Sequence, residues 1–155
     1  MMSILKQDEA TAKLLLSTSI SKLRLYGADP AILKSLAGTN IWVGWRGLEA
    51  VVAACPRLEA VDLSRCVGVG DREAAAVARG LREVRLDKCL EVTDVGLARV
   101  AVGCGGRLER LGVKWCMEIS DIGVELLVKK CRGIKALDVS YLKVKFAFAL
   151  CLPFF

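Results

Sequence analysis

Short apolar bursts recur along the chain. In VDL, VRL, LGV and LDV, which begin at Val61, Val84, Leu111 and Leu137, two apolar residues flank a middle residue of another kind. A period of two predicts a short, half-buried strand with both apolar flanks on one side. Segments with a longer period lie between the bursts. Leu48, Val51, Val52 and Cys55 form one set; Leu97, Val100, Ala101 and Cys104 a second; Val124, Leu127, Val128 and Cys131 a third. Each set is spaced i, i+3, i+4, i+7, the stripe of an amphipathic helix. Thr93-Asp94 and Ser120-Asp121 suit helix starts, with a hydroxyl to cap and a carboxylate to complement the positive helix end. Gly103, Gly105 and Gly106 suit a helix exit, where left-handed backbone is wanted.

These bursts belong to a repeat. LEAVDLSRCVGVGD from Leu58, LREVRLDKCLEVTD from Leu81 and LERLGVKWCMEISD from Leu108 align, and IKALDVSYLKV from Ile134 starts a fourth copy. The leading positions lie 23, 27 and 26 residues apart. The shared pattern is LxxLxLxxC, four more residues, then Asp71, Asp94 or Asp121. The block at Leu58 is shorter, and its helix is DREAAAVARG without the closing cysteine. One strand and one helix cannot close a core alone, but stacked copies can. The expected fold class is α/β, a right-handed solenoid or horseshoe. Its parallel β-strands form the concave face, about 4.8 Å apart, and its α-helices the convex face.

Three regions follow. Residues 1–40 read as a degenerate leading part, with a helix over Met1–Ser17 and an early strand in ISKLRL. Residues 41–144 hold the repeats, and residues 145–155 form an apolar tail. The last strand runs into VKFAFALCLPFF with no following helix. A solenoid that stops there leaves its last layer in water, so the expectation is a fragment or a shortened product.

Composition narrows the chemistry. The chain has 155 residues, 54% of them hydrophobic and 26% charged, which fits one domain with ample core. Histidine is absent, which removes His-dependent triads, imidazole metal ligands and imidazole pH switches. The seven cysteines include no CxxC pair, so no zinc site is expected. Their odd number and the lack of a secretion signal point to free thiols in a reducing, intracellular compartment, cytoplasm or nucleus. No apolar run reaches the roughly 18 residues of a membrane span. With no clustered carboxylate pair and no P-loop spacing, the expectation is that the chain is not an enzyme and holds no cofactor.

In this register the chain resembles the cysteine-containing leucine-rich repeats of plant F-box proteins. The likeness runs from about Gly44 to Val144, through CPRLEAVDLSRC, LREVRLDKCLEVTDVGLARVAVGC and RLERLGVKWCMEISDIGVELLVKKC. It implies a leucine-rich-repeat module that binds a target protein for ubiquitin-dependent degradation by an SCF-type ligase. No Leu-Pro-acidic opening of an F-box stands in residues 1–40, so docking on the cullin-complex adaptor is expected only of a longer product. The alternatives are a repeat scaffold or inhibitor unrelated to ubiquitin, or an inactive shortened product.

The repeat cysteines read as small buried side chains whose S–H groups meet backbone carbonyls. The candidate site is the concave face. Its columns are Ala60-Glu83-Arg110-Ala136, Asp62-Arg85-Gly112-Asp138, Ser64-Asp87-Lys114-Ser140 and, at the strand exits, Arg65-Lys88-Trp115-Tyr141. Asp62, Glu83, Arg85, Asp87, Arg110, Lys114, Trp115 and Tyr141 are the expected protein-binding residues, with Arg85, Trp115 and Tyr141 as anchors. The competing reading is self-pairing of Glu83 with Arg110, Asp62 with Arg85 and Asp87 with Lys114. No aromatic residues interleave the basic ones to stack bases, so nucleic acid is not an expected partner; without an apolar run of spanning length, neither is a membrane.

Overall fold

A computed structural model describes residues 2–3, 21–24, 52 and 55–144. The chain folds as α/β. Strands β1 (Met2–Ser3), β2 (Lys22–Arg24), β3 (Ala60–Asp62), β4 (Glu83–Arg85), β5 (Arg110–Gly112) and β6 (Ala136–Asp138) form one parallel sheet in chain order. Helices α1 (Asp71–Val77), α2 (Asp94–Cys104) and α3 (Asp121–Lys130) follow β3, β4 and β5. α1 packs on α2, and α2 on α3.

Pairing is in phase. Leu23, Val61, Val84, Leu111 and Leu137 are successive partners across β2 to β6. The expected strand in ISKLRL is therefore β2. The helix expected over Met1–Ser17 gives way at Met2–Ser3 to a strand paired with β2, and its remainder lies outside the described residues. Leu48 and Val51 of the first expected helix stripe and the tail over residues 145–155 also lie outside them.

The apolar periodicities converge on one core. Val61, Leu63, Val84, Leu86, Leu111 and Val113 point into it from the strands; Leu97, Val100, Cys104, Val124 and Leu127 meet them from the helices. Val69, Val92 and Ile119, which precede the helices, are buried as a further row that the two simple periods do not mark. β3, β4 and β5 are each extended by one more rung, as Leu63 N–H donates to Arg85 O (2.8 Å), Leu86 N–H to Gly112 O (2.8 Å) and Val113 N–H to Asp138 O (2.9 Å).

Helix starts tie one unit to the next. Thr93 Oγ1 accepts from Val95 N–H (3.1 Å), and Ser120 Oγ from Ile122 N–H (3.3 Å), the ordinary caps. The same hydroxyls donate backwards. Thr93 N–H and Oγ1–H bond Asp71 at 2.8 Å each, while Ser120 N–H and Oγ–H bond Asp94 at 2.8 and 2.6 Å. Asp71 and Asp94 thus complement their own helix ends and also hold the neighbouring cap. The close approach needs glycine opposite. A Cβ at Gly96 would collide with the Asp71 carboxylate, and one at Gly123 with that of Asp94. At the far end of α2, Gly105 has φ 56° and its N–H returns to Val102 O, a left-handed exit.

Alanine normally favours a helix over glycine by about 1 kcal/mol. Here Gly123→Ala is expected to destabilise by about 1–3 kcal/mol, because the carboxylate of Asp94 must be displaced. In an Asp94→Ala background the same substitution should become neutral or stabilising. Urea denaturation of the four proteins in this cycle measures it; equal costs in both backgrounds would refute the contact.

Candidate binding face

The solvent side of the sheet is built by the alternate positions of the strands. In-phase pairing sets Glu83 beside Arg110 and Asp62 beside Arg85. Glu83 lies at the centre of a charge cluster. It accepts from Arg85 Nε at 3.2 Å, with Arg110 at 3.8 Å and Lys22 at 4.0 Å. The expected Glu83–Arg110 pair therefore forms. The Asp62–Arg85 pair does not: Arg85 turns along its own strand to Glu83, while Asp62 meets Arg24 at 2.8 Å. Nor do the side chains of Asp87 and Lys114 pair; the Lys114 main-chain N–H, not its ammonium, donates to Asp87 Oδ1 at 2.9 Å.

A regular device explains the last difference. Asp62 accepts from Ser64 N–H (3.0 Å) and Oγ–H (2.6 Å), and Asp138 from Ser140 N–H (3.0 Å) and Oγ–H (2.5 Å). Between them the same column holds Gly112, which has no side chain to capture Lys114 N–H. Asp87 reaches over from the preceding unit and does so instead. A Cβ at Gly112 would lie 2.8 Å from Asp87 Oδ1. Gly112 thereby opens a pocket of about 190 Å³ flanked by Arg85, Asp87, Arg110 and Asp138. Gly112 carries no chemistry of its own and was no candidate; a glycine inside a strand is the sequence signal of such a close approach.

The two carboxyls facing this pocket are driven apart. Burial pushes Asp87 above the usual carboxylate range, outweighing the Lys114 N–H, and the negative charges of Asp138 and Asp62 act in the same direction. The Ser140 hydroxyl and then its N–H hold Asp138 below that range.

Three residues past Gly112 and Asp138 in the chain, Trp115 and Tyr141 stack with ring centroids 4.2 Å apart at 11°. They are 38% and 60% exposed, so two rings that could pack inward face water. Lys88 Nζ lies 5.8 Å from the Trp115 ring and Lys114 Nζ 5.3 Å from that of Tyr141. The exit residues Arg65, Lys88, Trp115 and Tyr141 all have left-handed φ of 62–63°. Such backbone costs about 1–3 kcal/mol at a non-glycine residue. In-phase pairing offsets it, since Arg65, Lys88 and Trp115 N–H donate to Asp87, Lys114 and Ser140 carbonyls at 2.8, 2.7 and 3.1 Å.

The thiols of Cys89 and Cys116 follow the strands, and that of Cys104 ends α2. Cys89 donates to Leu63 O (3.2 Å), Cys116 to Leu86 O (3.0 Å) and Cys104 to Ala78 O (2.9 Å). Burial pushes Cys89 and Cys104 up to about 12 and Cys116 to about 11, so they are thiols and not thiolates at neutral pH.

No family model matches the chain. Over 33 residues, 21% of its length, the chain is 70% identical to glucan endo-1,3-beta-glucosidase 7 of Arabidopsis thaliana. The match spans 6% of that protein's length. These findings overturn the identification as a plant F-box/leucine-rich-repeat protein, and with it the SCF ligase and ubiquitin-dependent degradation. The physical reason is that LxxLxLxxC marks positions buried by any stacked strand–helix unit; it reports packing, not ancestry. The expectation that the chain is not an enzyme is corrected as well, because the named relative is an enzyme. Among the described residues no helix is long and apolar enough to cross a membrane.

Asp87 sets a pH dependence. Its folded pKa lies above its unfolded one, so its ionisation opposes folding, fully so above the folded pKa and not at all below the unfolded one. Asp87→Asn keeps an acceptor for Lys114 N–H and is expected to raise stability at pH 7, with the gain vanishing near pH 3. Urea midpoints at the two pH values check this; a gain that persists at low pH would contradict it.

Proposed function

We propose that the strand–helix units are coils of a right-handed solenoid, and that the open face of its sheet recognises a protein partner. Right-handed connection is the rule for parallel strands joined by a helix, and sheet order equal to chain order is what stacking coils produce. The observation that carries the binding role is the water-exposed Trp115–Tyr141 stack at the exits of the strands that line the Gly112 pocket. Aromatic and arginine side chains supply much of the affinity in protein interfaces, and Arg85 and Arg110 border the same pocket. The surrounding ion pairs join half-buried carboxylates to more exposed cations and contribute about 0–1 kcal/mol each to stability.

A photo-reactive amino acid at position 85 is expected to cross-link a protein in extract of the source cells, whereas one at Arg99 on α2 should not. Arg85→Ala with Trp115→Ala should lower capture of that protein about tenfold or more while leaving the thermal melt in place. Equal cross-linking from the two positions would remove this reading.

The likeness to a glucan endo-1,3-beta-glucosidase favours a second reading, hydrolysis of β-1,3-glucan. Glycoside hydrolysis uses one carboxyl whose pKa is raised beside another that stays ionised, and Asp87 and Asp138 are shifted in those opposite directions. Incubation with a β-1,3-glucan is expected to release reducing ends, and Asp87→Asn and Asp138→Asn should each abolish the release. No release by the unaltered protein would end this reading.

A further inference from the structure

The cations on the sheet side fall into two groups. Lys22, Arg24, Arg82, Arg85, Arg110 and Lys135 each meet a carboxylate of Asp62, Glu59, Glu83 or Glu109 within 4.0 Å. Arg65 and Lys88 at the strand exits, and Lys114 one position before them, form no ion pair among the described residues, although Asp87 stands in the column of Lys114 and Asp62 and Asp138 in the column next to it. Those carboxylates are taken up by Arg24 and by main-chain and hydroxyl donors. Close ion pairs thus take up the first group and not the second, in which Lys114 acts on Asp138 only through its field. The chain's net charge is +6.

The ridge is also preorganised. The left-handed backbone at Arg65, Lys88, Trp115 and Tyr141 repeats within 1°. It spaces their side chains at the strand separation of about 4.8 Å, a ridge of roughly 14 Å. Four or five residues of extended chain, at about 3.3 Å each, span that length. Unit order puts Lys88 on the side of Trp115 away from Tyr141, so both faces of the indole are covered and its edge is presented. A ring edge carries positive charge and, like the ammonium and guanidinium groups beside it, favours a carboxylate.

We propose that the exit ridge of Arg65, Lys88, Lys114, Trp115 and Tyr141 docks an acidic, extended segment of a partner protein. This rests on the protein-binding reading and supplies the chemistry of the partner. Charge draws the segment in, and the fixed spacing of the ridge lowers the ordering cost of binding.

The probe is a fluorescein-labelled dodecapeptide of alternating Glu and Gly, followed by anisotropy. It is expected to bind, and to bind more weakly as salt rises. Arg65→Asn with Lys88→Asn, chosen because asparagine tolerates left-handed backbone, should weaken binding about tenfold or more. Lys130→Asn with Arg132→Asn removes the same charge elsewhere and should change it by less than about twofold. On the unaltered protein, the peptide should shift the Trp115 indole N–H resonance, assigned through Trp115→Phe, so the outcome does not depend on the variants folding. No binding of the peptide, equal weakening by the two charge-removed pairs, an unmoved indole resonance, or tighter binding of oligo-dT would each overturn the proposal. Peptide failure with the position-85 cross-link intact removes the ridge alone; peptide binding without that cross-link removes the open-face reading instead.

Discussion

A strand of three residues cannot hold itself, and a helix of seven to eleven has one apolar flank to cover. In-phase stacking solves both problems together. When Val61, Val84, Leu111 and Leu137 take consecutive places in one ladder, the backbone groups of each strand find partners, and the apolar flanks close over a shared core. A slip of one residue would turn Asp62, Arg85 and Asp138 inward and the core residues out to water. Register is therefore the constraint from which the face, the ridge and the buried thiols all follow.

Stacking is enforced by more than apolar contact. Asp71 and Asp94 bind the caps of the following helices, and the thiols of Cys89, Cys104 and Cys116 bind carbonyls of the preceding unit. Both devices act between units and not within one, so they reward the correct neighbour. Glycine makes the first possible: Gly96 and Gly123 admit the carboxylates that a methyl group would exclude. Gly112 repeats the principle on the open face, where the missing side chain lets Asp87 cross to Lys114 and leaves a pocket behind.

The same geometry sorts the charges. Long side chains on the strands bend along or across the sheet and find carboxylates, as Arg85 and Arg110 do at Glu83. Side chains at the exits project from left-handed backbone, away from that network. Surface cations and aromatic rings are thereby held apart from the internal neutralisation that satisfies the rest of the face.

The α/β class, the strand positions from Val61 onward, the stripes of α2 and α3 and the buried cysteines were legible in the amino-acid order, because each depends on local period and on which side chains avoid water. The columns in which the exit residues and the eight candidates stand were also visible, since in-phase stacking fixes who stands beside whom. Which neighbour each one grips was not. Asp62 chose Arg24, Arg85 chose Glu83, and Asp87 took a main-chain N–H that Gly112 left open; these outcomes depend on reach and competition among several partners in three dimensions. Ancestry was misread for a related reason, as packing alone places leucine, valine and cysteine in that order. Periodicity determined what is buried; only the assembled sheet decided which polar groups satisfy one another and which remain available to a ligand.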